Sequence, residues 1–195
     1  AERQFTYALL DARAPRAAAM PRDEALGELT RRYFTSRGPA SLRDYMWWSG
    51  LSAGDARRGI EIAGSNLAGE IIEGRMYWSG ARLRKPSRTR AATDAHLLPN
   101  YDEYLVAYRD RDAVVGAVRG TAAGPRGSDV FAPALIVAGR LAGTWSKAIR
   151  RDTIAVDVVS YRRLTPGDRE IVAAAVDRYG RFMQQAVTCA QRSTR

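Results

Sequence analysis

Ser41-Leu-Arg-Asp-Tyr-Met-Trp-Trp-Ser-Gly-Leu-Ser-Ala-Gly-Asp-Ala-Arg-Arg-Gly-Ile-Glu-Ile-Ala63 is the stretch from which the fold is read. Leu42, Tyr45, Met46 and Trp48 recur at helical spacing behind Ser41, and Asp44 stands three residues after that serine, where an acid can reach back to a capping residue. Gly50 marks a tight turn. A second helix then starts at Ser52 or Ala53 and runs to Ala63, with Ala56, Ile60 and Ala63 inward and Arg57 and Arg58 on a more exposed side. Helix, glycine turn, helix is a helix-turn-helix arrangement.

Upstream, Asp23 is placed to cap a helix carrying Leu26, Leu29, Tyr33 and Phe34, which ends at the Gly38-Pro39 break. Downstream, Leu67–Ile72, a Glu73-Gly74 turn and a strand over residues 75–78 make a hairpin. Three helices followed by a hairpin form a winged helix, whose third helix can enter a major groove while the hairpin reaches the flanking backbone. Arg57, Arg58 and Arg75 are then the expected contacts. Arg82, Arg84, Lys85, Arg88 and Arg90 follow with no acid among them, and in an extended linker they would meet successive phosphates. A solvated tether between domains is the competing reading of the same cluster.

Residues 4–10 alternate Phe5, Tyr7 and Leu9 on one side, as an edge strand without its upstream partner would, and such a strand offers a route to a homodimer. Residues 12–21 read as a linker. From His96 the pattern changes to short apolar runs at residues 104–108, 113–118, 134–138, 141–145 and 153–159, all read as strands, with Gly139-Arg140 as a hairpin turn and residues 120–128 as a flexible loop. Thr165 caps a final helix with Pro166 at its first position and Ile171, Val172, Ala175, Val176, Tyr179, Phe182 and Met183 on its apolar face. The tail from Gln191 is expected to fray. The expected fold class is therefore α+β: a winged helix-turn-helix, then a small β-barrel-like or curved antiparallel sheet closed by a C-terminal helix. The expected divisions are an orphan strand and linker over 1–20, the winged helix over 21–80, a basic linker over 81–95 and a β-rich domain over 96–195.

Composition narrows the function classes. A net charge of +10 on 195 residues favours a polyanionic partner, although only Lys85 and Lys147 are lysines, a usage that a GC-rich genome would produce without any DNA-binding role. Cys189 is the only cysteine, so one chain can build neither an internal disulfide nor a thiolate cluster. The apolar runs are too short to span a membrane, and the first residues lack the layout of a signal peptide. The expectation is a cytoplasmic, nucleoid-associated protein with DNA as partner, no membrane, and neither metal nor cofactor.

Residues 5–11 (Phe-Thr-Tyr-Ala-Leu-Leu-Asp), Arg31-Arg-Tyr-Phe34, Gly38-Pro-Ala40, Asp44-Tyr-Met-Trp-Trp-Ser-Gly-Leu51, His96-Leu-Leu-Pro-Asn-Tyr-Asp-Glu-Tyr104, Tyr108-Arg-Asp-Arg111 and Val137-Ala-Gly-Arg-Leu-Ala-Gly-Thr-Trp145 together resemble the AlkZ/YcaQ-like winged-helix DNA glycosylases, in family order over nearly the whole chain. The resemblance implies tandem winged helices and a β-barrel-like element forming a concave DNA-binding surface, metal-free removal of alkylated bases, and action within interstrand crosslinks. It also implies a catalytic Gln-x-Gln or Gln-x-Asp motif in the N-terminal half of a longer chain. The glutamines here are Gln4, Gln184, Gln185 and Gln191, and none forms that motif.

Other constellations are weaker. Asp102 and Glu103 are adjacent carboxylates in the family-like block, and a structural pairing with Arg109 or Arg111 outweighs a part in hydrolysis. His96, the single histidine, is read either as a packed residue or as a contact to a groove. Tyr45, Trp47, Trp48 and Trp78 have the spacing of core residues rather than of base-stacking platforms. Arg140 at a hairpin tip can enter a narrow minor groove, or stand as a solvated turn charge. Beside DNA repair, two readings stay open: a non-catalytic transcriptional regulator and a protein-interaction module.

Overall fold

The computed structural model describes residues 7–14, 18–82, 94–116, 118 and 132–194. It is a mixed α+β fold with two sheets. Tyr7 to Leu9 carry no strand and lead into a helical turn, α1 (Leu10–Arg13), in place of the expected edge strand; residues 1–6 lie outside the described residues.

Helix α2 (Arg22–Arg37) follows Pro21, so Asp23 lies within its first turn rather than capping it. There Asp23 complements the helix dipole with Glu24 and accepts from Arg58 at 2.9 Å. Helix α3 (Leu42–Ser49) has the capping box read from Ser41 and Asp44, and Gly50, at φ +71°, ends it in the left-handed region that glycine tolerates. Helix α4 (Ala53–Ala63) is capped by Ser52, whose hydroxyl accepts from the Asp55 N–H at 3.1 Å. Tyr33, Phe34, Tyr45, Ala56 and Ala63 make the core of this part, with Tyr33 and Tyr45 ring centroids 4.9 Å apart.

A close approach between α2 and α4 sets this packing. A Cβ on Gly59 would fall 2.2 Å from the Thr30 hydroxyl, which donates to the Leu26 carbonyl at 2.7 Å and shares a 2.8 Å hydrogen bond with the Tyr45 hydroxyl. The three helices thus meet around one buried threonine. Strands β1 (Leu67–Ile72) and β2 (Arg75–Gly80) pair antiparallel through a two-residue turn with Glu73 at φ 49° and Gly74 at φ 75°, and β2 runs two residues past the expected end. Backbone bonds between Ala40 and Trp78 tie the hairpin to the segment before α3.

The second sheet has the order β3 (Ala95–Leu98), β4 (Ala134–Val137), β5 (Arg140–Ile149), β6 (Thr153–Ser160) and β7 (Ala186–Ser193). It is not a closed barrel, because β3 and β7 are its two edges, and it is not wholly antiparallel, because β7 runs parallel to β6. The helix α7 (Pro166–Met183) therefore crosses between parallel neighbours rather than closing the chain, and residues 191–193 of the tail expected to fray are part of a strand, while Arg195 lies outside the described residues. Alternate residues Ile154, Val156 and Val158 of β6 pack with Val172, Ala175 and Val176 of α7. The runs read as strands at 104–108 and 113–118 are instead the single turns α5 (Glu103–Val106) and α6 (Asp112–Val115). Asp102 starts the first by accepting the Tyr104 N–H at 2.9 Å, and Leu105 and Val115 bury against Ile136 and Leu141 of the sheet.

Two outcomes follow. Gly59→Ala should destabilise the fold by about 1–3 kcal/mol through overpacking against Thr30, read as a lower urea midpoint at unchanged slope. Asp168, which accepts from Arg162 at 2.8 Å and from the capping residue Thr165, has its pKa lowered from the usual 3.8, chiefly by the Arg162 hydrogen bond. Its stabilisation is complete above that usual value and is lost as the pH falls through the lowered folded one. The melting-temperature gap between the wild type and Asp168→Asn should accordingly be wider at about pH 6 than at about pH 2.

Candidate nucleic-acid interface

The helical part and the sheet part meet through the segment 102–111. Glu103 accepts from Arg37 Nε and Nη2 at 2.9 and 2.7 Å and from Trp48 Nε1 at 3.2 Å, while the Arg37 guanidinium lies 5.1 Å from the centre of the Trp48 ring. Glu103 thus pairs with Arg37, not with Arg109 or Arg111 as expected, because the helical turn at α5 directs it toward α2. Tyr33 donates to the Ala107 carbonyl at 3.2 Å, and Tyr108 donates to the Arg37 carbonyl at 2.8 Å. Burial pushes both phenols above their ordinary pKa, so they remain donors across neutral pH.

Asp44, 2% exposed, is the centre of this junction. Its Oδ2 accepts from the Ser41 N–H and hydroxyl at 2.9 and 2.6 Å, and its Oδ1 accepts from the N–H groups of Arg109 and Asp110 at 2.8 and 3.0 Å. One side chain therefore caps α3 and fixes the loop entering α6. Trp47, expected in the core, is half-exposed; its Nε1 donates to the Val106 carbonyl at 2.9 Å and Arg111 lies 5.6 Å from the centre of its ring. Tyr45 is fully buried as expected, and Trp48 and Trp78 pack partly buried against the helical core.

The expected contact residues divide into three groups. Arg58 is engaged by Asp23 and Glu61, and Arg75 donates to Asp110 at 2.6 Å. These exposed pairs contribute at most about 1 kcal/mol each and can open to another anion. Arg57, Arg82, His96 and Arg140 are exposed, with no ion pair to any of them found among the described residues. The turn is Ala138-Gly139 rather than the expected Gly139-Arg140, so Arg140 begins β5; the Gly139 carbonyl accepts from Tyr104 at 2.9 Å, and His96 of β3 stands across from Ile136 of β4. Arg84, Lys85, Arg88 and Arg90 lie outside the described residues. So does the expected loop at 120–128.

Sequence reading missed Arg43 and Arg109. They line a cleft of about 580 Å³ with Arg75 and Asp110, bounded by the start of α3, β2 and the loop before α6. Both arginines lie within blocks read for other reasons, the capping box and the Tyr108-Arg-Asp-Arg111 motif, and nothing in their spacing showed that the two converge. Among the described residues no group of His, Cys, Asp and Glu is arranged to hold a metal ion, and no helix is long and apolar enough to cross a membrane.

Residues 1–182 match the family described as DNA glycosylase AlkZ-like. The chain belongs to that family. An interstrand DNA cross-link repair glycosylase of Streptomyces sahachiroi is a relative 26% identical over 127 residues, 63% of this chain and 34% of the relative. The solved structure of the DNA glycosylase AlkZ from Streptomyces sahachiroi superposes with a TM-score of 0.60 at 21% identity, over 89% of this chain and 48% of that one. At that identity the superposition establishes a shared fold. This AlkZ-like chain thus spans between about a third and a half of the length of the relatives it matches.

The junction makes a clear demand on Asp44. Replacing it with Ala removes the half of the α3 capping box that its carboxylate supplies and leaves the N–H groups of Arg109 and Asp110 without an acceptor, so Asp44→Ala should lose about 2–4 kcal/mol, measured by urea unfolding; a loss below about 0.5 kcal/mol would remove it from this role.

Proposed function

We propose that this chain is the DNA-binding portion of a base-excision glycosylase, acting on duplex DNA at the bacterial nucleoid in the cytoplasm. The observation that carries the reading is the AlkZ-like family match over residues 1–182. In this reading residues 21–80 are a winged helix in which α4 is the recognition helix and the β1–β2 hairpin the wing. Residues 81–95 are a basic linker, and residues 96–195 a second domain. Arg57 on the exposed side of α4, Arg82 after the wing, and the cluster of Arg84, Lys85, Arg88 and Arg90 meet phosphates. Arg58 and Arg75 join them when their ion pairs open. His96 and Arg140 contact DNA from the sheet part, with Arg140 at the minor groove. The chain needs neither metal nor cofactor for this. The Streptomyces sahachiroi relative is named for interstrand cross-link repair, and we extend that context, a damaged duplex, to this chain. Because no glutamine pair of the Gln-x-Gln or Gln-x-Asp type occurs in residues 1–195, the reading assigns binding rather than bond cleavage to these residues.

Binding to a random-sequence duplex should weaken steeply between about 50 and 200 mM salt, as followed by fluorescence anisotropy. Reversing Arg84, Lys85 and Arg88 together to Glu should weaken it at every salt concentration, and unchanged affinity at low salt would sink the assignment. A strong preference for one sequence over random duplex would point to a regulator reading base edges through α4.

A further inference from the structure

We infer that the cleft between the start of α3, strand β2 and the loop before α6 is a seat for a backbone phosphate of the bound nucleic acid, gripped by Arg43 and Arg109, with Arg75 recruited as the phosphate enters. The inference rests on the DNA-binding reading and deepens it by naming a site. Three arginines line this cleft against Asp110 and Asp112, and Tyr77 and Met76 give it a wall for sugar contact. Arg43 and Arg109 are both exposed, and no ion pair to either is found among the described residues. Arginines with free donor forks in a concave setting match a phosphate better than bulk solvent does.

Their convergence is built in by the backbone. Arg43 precedes Asp44, and the Asp44 carboxylate holds the N–H groups of Arg109 and Asp110 at 2.8 and 3.0 Å, so the two arginines are presented to one cleft by a single buried anchor. Asp110 does not oppose an incoming anion freely. Its Oδ1 accepts from the Asp112 N–H at 3.0 Å, and its Oδ2 takes the 2.6 Å hydrogen bond from Arg75. Carboxylate and phosphate oxygens satisfy the same guanidinium fork, so Asp110 occupies Arg75 as an internal anion that a phosphate can displace. The site is open and its lining is more polar than apolar, which suits a charged strand running through it rather than an enclosed small molecule.

The test uses the full chain and a random-sequence duplex, with affinity measured across a salt series for wild type, Arg43→Ala/Arg109→Ala and Asp110→Asn. The double variant should lose about tenfold or more in affinity at low salt, and its log–log salt slope should shrink by about two. Both side chains are exposed and the Arg109 backbone donor is retained, so the melting temperature should stay at the wild-type value. Asp110→Asn should bind more tightly with a steeper slope. A wild type that binds duplex while the double variant keeps its affinity and slope would overturn the cleft and leave the DNA reading standing. A wild type that binds no duplex at low salt would overturn the DNA reading itself. Inorganic phosphate titrated at constant ionic strength should compete with the duplex only at concentrations far above those at which the duplex itself binds, and equally tight competition that depends on Arg43 and Arg109 would reassign the cleft from a strand to a free anion.

Discussion

The Asp44 carboxylate is buried yet surrounded by donors, and its four hydrogen bonds point in two directions: back to Ser41 at the head of α3, and across to the backbone of Arg109 and Asp110. A buried charge of this kind is tolerable only when its oxygens are satisfied, and here they are satisfied by groups that would otherwise be orphaned themselves. Removing the side chain would therefore release two structures together. The placement of the loop before α6, and with it one wall of the cleft, depends on this residue.

Around that anchor the junction is made of bonds with different sensitivities. The Arg37–Glu103–Trp48 group is partly exposed and works through shared hydrogen bonds and a stacked guanidinium. Tyr33 and Tyr108 instead spend buried hydroxyls on main-chain carbonyls across the junction. Charge screening weakens the first kind far more than the second. The interface is thus held by neutral donors and one satisfied carboxylate, while its exposed arginines remain available for other anions.

Much of the helical part was legible in the sequence because local signals agreed with the tertiary fold. Ser41 with Asp44, Gly50, Ser52 and the Glu73-Gly74 turn each dictate a backbone geometry within a few residues. The sheet part was less legible. Residues 104–108 and 113–118 are apolar runs of a length shared by buried strands and buried helical turns; for the first the deciding feature was the Asp102 cap, which periodicity does not register, and the second has no side-chain cap to read. The parallel pairing of β7 was hidden for another reason: residues 186–193 mix small, polar and basic side chains, and their strand state comes from β6 as neighbour rather than from their own pattern. At the site, exposure of Arg57 on α4 followed from helical spacing. The meeting of Arg43 with Arg109, 66 positions apart, came from tertiary contacts alone.

The crossover from β6 through α7 to β7 places the strand that completes the larger sheet after its other four strands in chain order. Until residue 193 has left the ribosome, β6 offers an unpaired row of main-chain donors and acceptors, and α7 has no following strand to hold its end against the sheet. A nascent chain can therefore assemble its helical part from contacts close in sequence before this sheet is complete, because the β6–β7 pairings join residues about 30 positions apart and are slower to find.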